Sequence, residues 1–349
     1  MADSASNPGI DVPRANRVLG LAAASIFCLL AALALGITLL GKVGQPHIVI
    51  DLSSLSETKA ANIVARRPVE PDTPMAAVEK QQFAGKALIA DPALIENSPS
   101  GPLPRIADDG RKPMNAYAAA APAGKFRIAI VVTGLGVSAK ATAAALSALP
   151  SGVTLGFAPY AADVQHWVNQ ARQSGHEALL EVPMEPVDFP DSDPGPHTLR
   201  AGTNEDSNLQ RLTWVLSRFT GYAGVTNLLG QRFLSDSNAL APALTYLARR
   251  GLYFFDNGAA NQSVAPQVAG STATPFAGTT EILDDIQNAA EIDRRLSALE
   301  DEARAHGSAV GSGFLYPVTL DRVAAWAKGL QGRGFVLVPL SAIVNAPKQ

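Results

Sequence analysis

Two patterns of apolar residues alternate along the last two thirds of the chain. Short apolar, largely β-branched runs predict buried strands, and longer stretches with apolar residues every three or four positions predict amphipathic helices. The predicted strands are 128–132, 153–157, 178–182, 223–226, 252–255, 308–311 and 335–338, with a weaker strand before Leu283. The predicted helices are 138–148, 163–174, 205–219, 238–250, 285–306 and 320–330. This alternation predicts an α/β fold with a parallel sheet, and roughly 220 residues favour a small (β/α) barrel over a five-stranded open sheet.

The amino-terminal region follows neither pattern. Residues 18–41 contain no charged side chain and lie between Arg17 and Lys42. A helix of about 20 apolar residues is long enough to cross the hydrocarbon layer of a bilayer. Because cationic flanks such as Arg14 and Arg17 stay on the cytoplasmic side, we predict a cytoplasmic tail at 1–17 and a transmembrane anchor at 18–41. A buried helix of a soluble protein and a cleavable signal peptide are the alternatives, but the apolar region of a signal peptide is usually only about 7 to 15 residues long.

Between residues 42 and 125 the periodicity disappears and proline accumulates. Ten of the 25 prolines of the chain lie in this segment. Proline fixes φ and removes a backbone donor, so this density argues against a packed helix or sheet. We therefore predict a disordered Pro/Ala-rich linker at 42–125, which holds a folded domain at 126–345 away from the membrane.

Composition and charge exclude several classes of protein. Hydrophobic residues make up 47% of the chain and charged residues 17%, which excludes a wholly disordered chain. The net charge of −3 gives no basic face for nucleic acid, so no nucleic-acid partner is expected. The single cysteine, Cys28, excludes an intrachain disulfide and a cysteine-based zinc site.

The candidates for chemistry are the residues that follow the predicted strands, because parallel α/β folds bind ligands at the carboxyl ends of their strands. Glu185, Asp256 and Asp284 each follow a different predicted strand. Three carboxylates at one end of a barrel are a plausible acid–base group, and the alternative is that they only keep the loops soluble. His176 lies at the opposite, amino-terminal end of its strand, where a histidine more often caps a helix or bonds locally.

A series of short motifs runs through the predicted domain. In order they are Leu149-Pro150 with Val153-Thr154-Leu155, Phe157-Ala158-Pro159-Tyr160, Gly175-His176-Glu177, Pro183-Met184-Glu185-Pro186, Asp193-Pro194-Gly195-Pro196, Gly221-Tyr222 with Asn227, Phe254 with Asp256, and Val338-Pro339 with Ser341. Together they resemble the divergent polysaccharide deacetylases, relatives of the NodB-type carbohydrate deacetylases, from residue 126 to about residue 344. The resemblance implies a distorted (β/α)7-type barrel. It also implies a periplasmic domain behind an inner-membrane anchor, since many members of the family face the bacterial periplasm.

The resemblance further implies a divalent metal, usually zinc, which an aspartate and two histidines bind beside a second aspartate that acts as the base. The chain departs from this pattern at three strand ends. Thr133-Gly134 stands where the family has an Asp-Asp pair, Leu228 where it has a histidine, and Ser312 lies where it has Gly-His-Pro. Because Thr, Gly and Leu cannot supply the ligands that zinc prefers, we expect no metal cofactor.

Two functions remain open at this point. The first is a membrane-anchored periplasmic domain that binds a glycan, either peptidoglycan or an exported polysaccharide, and has lost the usual metal site, as a pseudoenzyme would. The second is an active carbohydrate deacetylase or hydrolase with a rebuilt acidic site that uses zinc. The predicted catalytic residues are Glu185, Asp256 and Asp284, and the predicted substrate-binding residues are Asn227, Arg232 and His197. The aromatic residues that could stack on a sugar ring are Tyr160, Trp167, Trp214 and Tyr316.

Overall fold

The computed structural model describes residues 90–344. The predicted tail at 1–17, the predicted anchor at 18–41 and the first part of the predicted linker lie outside these residues. Within the described part, no helix is both long and apolar enough to cross a membrane.

Strands and helices alternate from residue 126 onward, as the sequence predicts. In chain order the elements are β1 (Ile95–Ser98), β2 (Gly101–Pro104), α1 (Pro113–Ala116), β3 (Phe126–Leu135), α2 (Ala139–Ala148), β4 (Thr154–Phe157), α3 (Val164–Gln173), β5 (Ala178–Met184), α4 (Glu205–Leu216), β6 (Gly224–Leu229), α5 (Ser237–Arg249), β7 (Tyr253–Asp256), α6 (Ala265–Ser271), β8 (Phe276–Gly278), β9 (Glu281–Ile282), α7 (Ala289–His306), β10 (Ser308–Phe314), α8 (Pro317–Lys328) and β11 (Phe335–Leu337). Each predicted strand and helix has a counterpart in this series. The short elements β1, β2, α1, α6 and β8 were not predicted.

Polar caps fix where several helices begin. The side chains of Ser138, Asn204, Asp236 and Asn288 each accept a hydrogen bond from a backbone N–H in the first turn of α2, α4, α5 and α7. Such caps satisfy donors that have no partner inside the helix. Because each cap ends the loop that follows a strand, the caps also set the length of the loops at the carboxyl end of the sheet.

The main sheet is parallel and is ordered β8-β7-β6-β5-β4-β3-β10-β9. Its longest pairing joins β10 to β3, from Ser308 opposite Arg127 to Phe314 opposite Thr133. β11 pairs with the first three residues of β3, and β4 pairs with the last part of β3. β3 therefore contacts three strands and lies at the centre of the fold.

One segment bonds to both edges of the sheet. β8 pairs with β7 and β9 pairs with β10, although only Thr279 and Thr280 separate the two short strands. The Thr279 N–H donates to the Asp256 carbonyl (2.9 Å), and the Thr280 N–H donates to the Val310 carbonyl (2.7 Å). The sheet is thus curled, as in an α/β barrel. The predicted α/β class with a parallel sheet is confirmed.

The core has an outer and an inner layer. On β3, Ile128, Ile130 and Val132 pack outward against the helices, whereas Ala129 and Val131 belong to the cluster inside the curled sheet. Alternate positions of a strand face opposite sides, so both faces of β3 are covered and the strand is apolar almost throughout.

The segment 91–117 corrects part of the predicted linker. It forms a 3₁₀ turn, the β1–β2 hairpin and α1, and Leu94, Met114 and Tyr117 are buried in the inner cluster. The prolines in this segment occupy positions that tolerate a missing N–H. Pro92 and Pro113 lie in the first turn of a helix, and Pro102 lies in an isolated two-stranded hairpin. Proline density therefore did not mean disorder here.

We predict that this segment stabilises the barrel. Leu94 is fully buried, so Leu94→Ala should lower the free energy of unfolding by about 2 to 5 kcal/mol through lost burial and a residual cavity. Ile95→Ala is the matched control, and it should cost less because Ile95 is only half-buried. Urea denaturation of the full-length protein measures both values. Equal effects below about 0.5 kcal/mol would show that the segment does not pack on the barrel.

Candidate functional site

Glu185 lies directly after β5 at the carboxyl end of the sheet and is almost fully buried. Its Oε2 accepts a hydrogen bond from the Ala201 N–H (2.7 Å), and its Oε1 lies 3.4 Å from Nη1 of Arg232. The Glu185 carbonyl also accepts from the N–H groups of Arg232 and Phe233. Two of the predicted site residues, Glu185 and Arg232, are therefore in contact, and the pair ties the loop after β5 to the loop after β6.

Asp256 and Asn227 also stabilise loops at this end of the sheet. Asp256 Oδ1 accepts from the Gly258 N–H (3.0 Å). Asn227 and Asn257 form a reciprocal pair, in which Asn227 Nδ2 donates to Asn257 Oδ1 (2.8 Å) and the Asn257 N–H donates to Asn227 Oδ1 (3.0 Å). Ser312 Oγ then donates to the Asn257 carbonyl (2.8 Å), which connects β10 to the end of β7.

Asp284 ties β9 to the start of α8. Its Oδ2 accepts from the Phe314 N–H (2.6 Å) and from Thr319 Oγ1 (2.7 Å). Burial raises the pKa of the Asp284 carboxyl, and these two hydrogen bonds oppose that change. The contacts of Asp284 are those of a residue that fixes three segments together.

The predicted histidine, His197, lies in an aromatic stack. Its ring is 3.7 Å from the Trp214 ring and nearly parallel to it, and the Arg218 guanidinium lies 3.9 Å from the same indole. The His197 N–H donates to Tyr160 Oη (3.0 Å). Burial, with the nearby charges of Arg218 and Arg211, lowers the pKa of His197 below its ordinary value, which favours the neutral imidazole.

The three predicted acids do not share a set of contacts. Glu185, Asp256 and Asp284 each accept hydrogen bonds from different loops. Across residues 90–344, no three His, Cys, Asp or Glu side chains are grouped so that they could hold a metal ion.

The positions that the resemblance assigns to metal ligands hold Thr133, Leu228 and Ser312, and the two hydroxyl groups among them bond within the protein. Thr133 Oγ1 donates to the Gly313 carbonyl (3.4 Å), and Ser312 Oγ donates to the Asn257 carbonyl. Leu228 is half-buried and apolar. None of these side chains offers an imidazole or a carboxylate, so this set does not fit a zinc ion.

One polar residue that the sequence analysis did not select lies beneath these strand ends. Glu181, in the middle of β5, is almost fully buried, and its Oε1 accepts from the Gly134 N–H (2.5 Å). Burial raises the pKa of the Glu181 carboxyl to about 8, although the bond from Gly134 opposes the change. Its neighbour in the β5–β6 register, Thr226, is also buried, and the Thr226 hydroxyl has no hydrogen-bond partner within the described residues. An acid inside the apolar run Ala178–Met184 was the signal that could have revealed it.

Two glycines make room for Glu181. A Cβ at Gly156 would lie 3.2 Å from Glu181 Oε1, which is closer than ordinary packing allows. Gly134 has a φ of +90°, a conformation that side chains rarely adopt, and this conformation presents its N–H to the carboxyl. The carboxyl of Glu181 thus occupies space beside the end of β3.

Comparison with known proteins defines the family. A sequence model described as divergent polysaccharide deacetylase matches residues 130–344, which is more than half of the chain. The chain belongs to the divergent polysaccharide deacetylase family. The crystal structure of an uncharacterized protein from Agrobacterium tumefaciens C58 is 39% identical and superposes with a TM-score of 0.68, over 70% of this chain and 100% of that one.

Two curated relatives of this deacetylase-family chain are also uncharacterized. Protein YibQ of Escherichia coli (strain K12) is 25% identical over 58% of this chain, and the match spans 62% of the length of YibQ. A protein of Haemophilus influenzae is 26% identical over 58% of this chain and 72% of its own length. The match to YibQ therefore covers less than two thirds of that relative.

The raised pKa of Glu181 predicts the sign of a pH effect on stability. The carboxyl ionises near its ordinary pKa of 4.5 in the unfolded chain and near 8 in the folded chain. The neutral form of Glu181 contributes stability that is complete below pH 4.5 and is lost as the pH rises through about 8. The loss in the free energy of unfolding is on the order of 4 kcal/mol. Glu181→Gln stays neutral, so the variant should gain stability relative to the parent between pH 5 and pH 9. Urea unfolding at both pH values measures this gain, and an identical offset at both would contradict it.

A second prediction separates a structural Asp284 from a functional one. Asp284→Ala leaves the Phe314 N–H and the Thr319 hydroxyl without their acceptor, so the free energy of unfolding should fall by about 2 to 4 kcal/mol. The neighbouring Asp285 is exposed, and Asp285→Ala should change stability by less than about 0.5 kcal/mol. Chemical denaturation measures both. If Asp284→Ala remains as stable as the parent but loses ligand binding, Asp284 belongs to the functional site.

Proposed function

We propose that this protein is a membrane-anchored, periplasmic glycan-binding member of the divergent polysaccharide deacetylase family that does not use the family's metal chemistry. In this proposal, residues 18–41 anchor the chain in the inner membrane. The folded domain is a distorted (β/α)7-type barrel that meets peptidoglycan or an exported polysaccharide at the carboxyl ends of its strands. Its membership of the family supports a glycan as the ligand.

The observation that carries the proposal is the chemistry at three strand ends. Thr133 and Ser312 donate their hydroxyl hydrogens to backbone carbonyls, and Leu228 has no donor atom. A hydrolytic zinc site needs lone pairs from imidazole or carboxylate groups together with an open position for water. We therefore infer binding without metal-dependent hydrolysis.

The alternative, a rebuilt acidic active site, would need free carboxylate oxygens that converge on one point. Glu185 is engaged by Ala201 and Arg232, and Asp284 is engaged by Phe314 and Thr319. Carboxylates held by backbone N–H groups in this way are already used to fix loops. This arrangement favours a binding domain over a hydrolase.

Two aromatic side chains at this end of the sheet offer surface to a sugar. Tyr160 and Phe314 are each 39% exposed, and Phe314 lies beside Tyr316, with 5.6 Å between the ring centroids. Trp214 is covered by His197 and Arg218, and Trp167 packs against the hydrophobic core. We therefore assign sugar stacking to Tyr160 and Phe314 and not to the tryptophans.

Replacement of Tyr160 tests this assignment. Titration of the full-length protein with a hexamer of N-acetylglucosamine should show binding, and Tyr160→Ala should weaken the affinity by about tenfold, which corresponds to ~1.4 kcal/mol. Tyr160→Phe is the control, because it keeps the ring and removes only the hydroxyl that accepts from His197. It should bind within about twofold of the parent.

The same samples test the absence of hydrolysis. Incubation with the acetylated hexamer should release no acetate above the level of a boiled sample. Multiple turnovers of acetate release, or an affinity that is unchanged in Tyr160→Ala, would contradict the proposed function.

A further inference from the structure

The exposed large hydrophobic side chains of residues 90–344 all lie on one face of the barrel. Val137, Val187 and Ile286 are 76%, 72% and 57% exposed, and Tyr160 and Phe314 are each 39% exposed. Four of them lie in the loops directly after strands, and Phe314 is the last residue of β10. In the order β5, β4, β3, β10 and β9, these five strands are consecutive neighbours in the sheet. We call Val187, Tyr160, Val137, Phe314 and Ile286 the apolar arc.

Close contacts join the loops on one side of the arc. A side chain at Gly195, in the loop after β5, would overlap the ring of Tyr160, because its Cβ would lie 2.4 Å from that ring. A Cβ at Gly136, beside Val137, would lie 2.6 Å from the Cβ of Ala161. The loops after β5, β4 and β3 are therefore packed against one another.

Further contacts continue to the other side of the arc. The Phe314 ring would lie 3.0 Å from a Cβ at Gly134, so it packs over the end of β3. Asp284 accepts the Phe314 N–H and lies two residues before Ile286. The loops that carry the arc therefore contact one another in series across five strands, whereas single exposed residues scattered over a surface would need no explanation.

The loops at this face are strongly acidic. The loops between each strand from β3 to β10 and the helix that follows it contain eight carboxylates and only two cationic side chains. The carboxylates are Asp163, Glu185, Asp188, Asp191, Asp193, Asp236, Asp284 and Asp285, and the cations are Arg200 and Arg232. Arg232 lies 3.4 Å from Glu185, and Arg200 lies over the Phe189 ring. These loops therefore carry net negative charge.

The chemistry of the arc indicates one class of partner. Sugars stack on aromatic rings, but the three most exposed members of the arc are aliphatic. A bilayer with anionic lipids and a second copy of the same acidic face would both be repelled. We propose that the apolar arc binds a polypeptide segment that combines hydrophobic side chains with Lys or Arg, in a partner protein. This inference does not rest on the glycan-binding proposal, which concerns the two aromatic members, Tyr160 and Phe314, and it is carried by the three aliphatic members, Val137, Val187 and Ile286.

A designed peptide tests the proposal. The probe is a fluorescent octapeptide, Lys-Val-Lys-Phe-Lys-Val-Lys-Phe, and its comparison peptide has Glu in place of every Lys. Fluorescence anisotropy is measured with the full-length protein in nanodiscs of zwitterionic lipid, at low and at physiological ionic strength, and empty nanodiscs serve as the blank. The Lys peptide should bind at least tenfold more tightly than the Glu peptide, and its affinity should fall as salt is added.

Two matched pairs of variants locate the binding surface. The triple variant Val137→Ser, Val187→Ser, Ile286→Ser should lose at least tenfold in affinity for the Lys peptide while its thermal midpoint stays unchanged, because these side chains are exposed. The double variant Asp191→Asn, Asp285→Asn should lose about threefold. Its control, Asp301→Asn with Glu302→Gln, makes the same change in charge in the last turns of α7, near the opposite end of the barrel, and should bind as the parent does.

Other results would overturn the proposal. They are an unchanged affinity in the triple serine variant, equal binding of the two peptides, and binding of phosphatidylglycerol vesicles in place of the peptide. Self-association of the protein that the serine variant abolishes would assign the arc to a second copy. Loss of binding to the N-acetylglucosamine hexamer in the serine variant, with unchanged peptide binding, would assign the arc to the glycan.

Discussion

Three buried glutamates, one in β5 and one directly at each end of it, connect the amino end, the middle and the carboxyl end of the curled sheet. Glu177, Glu181 and Glu185 are spaced four residues apart along and beside β5, and all three are buried. Glu177 accepts from the Tyr253 hydroxyl and from two backbone N–H groups of distant segments, and Glu181 accepts from Gly134. Glu185 accepts from a backbone N–H in the loop after β5. Because a buried carboxyl without partners is costly, the segments that supply these donors must stay in place.

The same constraint distinguishes side chains that stabilise the loops from side chains that can contact a ligand at the carboxyl end of the sheet. The carboxylates at the strand ends accept hydrogen bonds from their own loops or from neighbouring segments, so they hold this surface in shape. The groups left for a ligand are the exposed aromatic rings of Tyr160 and Phe314, and the aliphatic side chains beside them.

The fold was more predictable than the site. Short, continuous, largely β-branched apolar runs located every long strand, because strands buried on both faces are apolar almost throughout. The ordered structure of segment 91–117 was not predicted. The proline content of a segment shows how many backbone N–H donors are missing, but it does not show that a side chain such as Leu94 packs in the core. At the site, Glu185 and Arg232 follow neighbouring strands and are in contact in the structure. The roles assigned to them from the sequence stay predictions. Glu181 was not predicted because it lies inside a strand and not at a strand end. Its hydrogen bond depends on the turn at Gly134, which a sequence pattern does not show.

The central claim is that this deacetylase-family barrel binds glycan at the carboxyl end of its sheet without a metal ion. Isothermal titration of the full-length protein with the N-acetylglucosamine hexamer, before and after treatment with a chelator, tests it most directly. The account predicts the same affinity in both samples, because no binding free energy depends on a metal. Loss of binding after chelation, with recovery when zinc is returned, would contradict it.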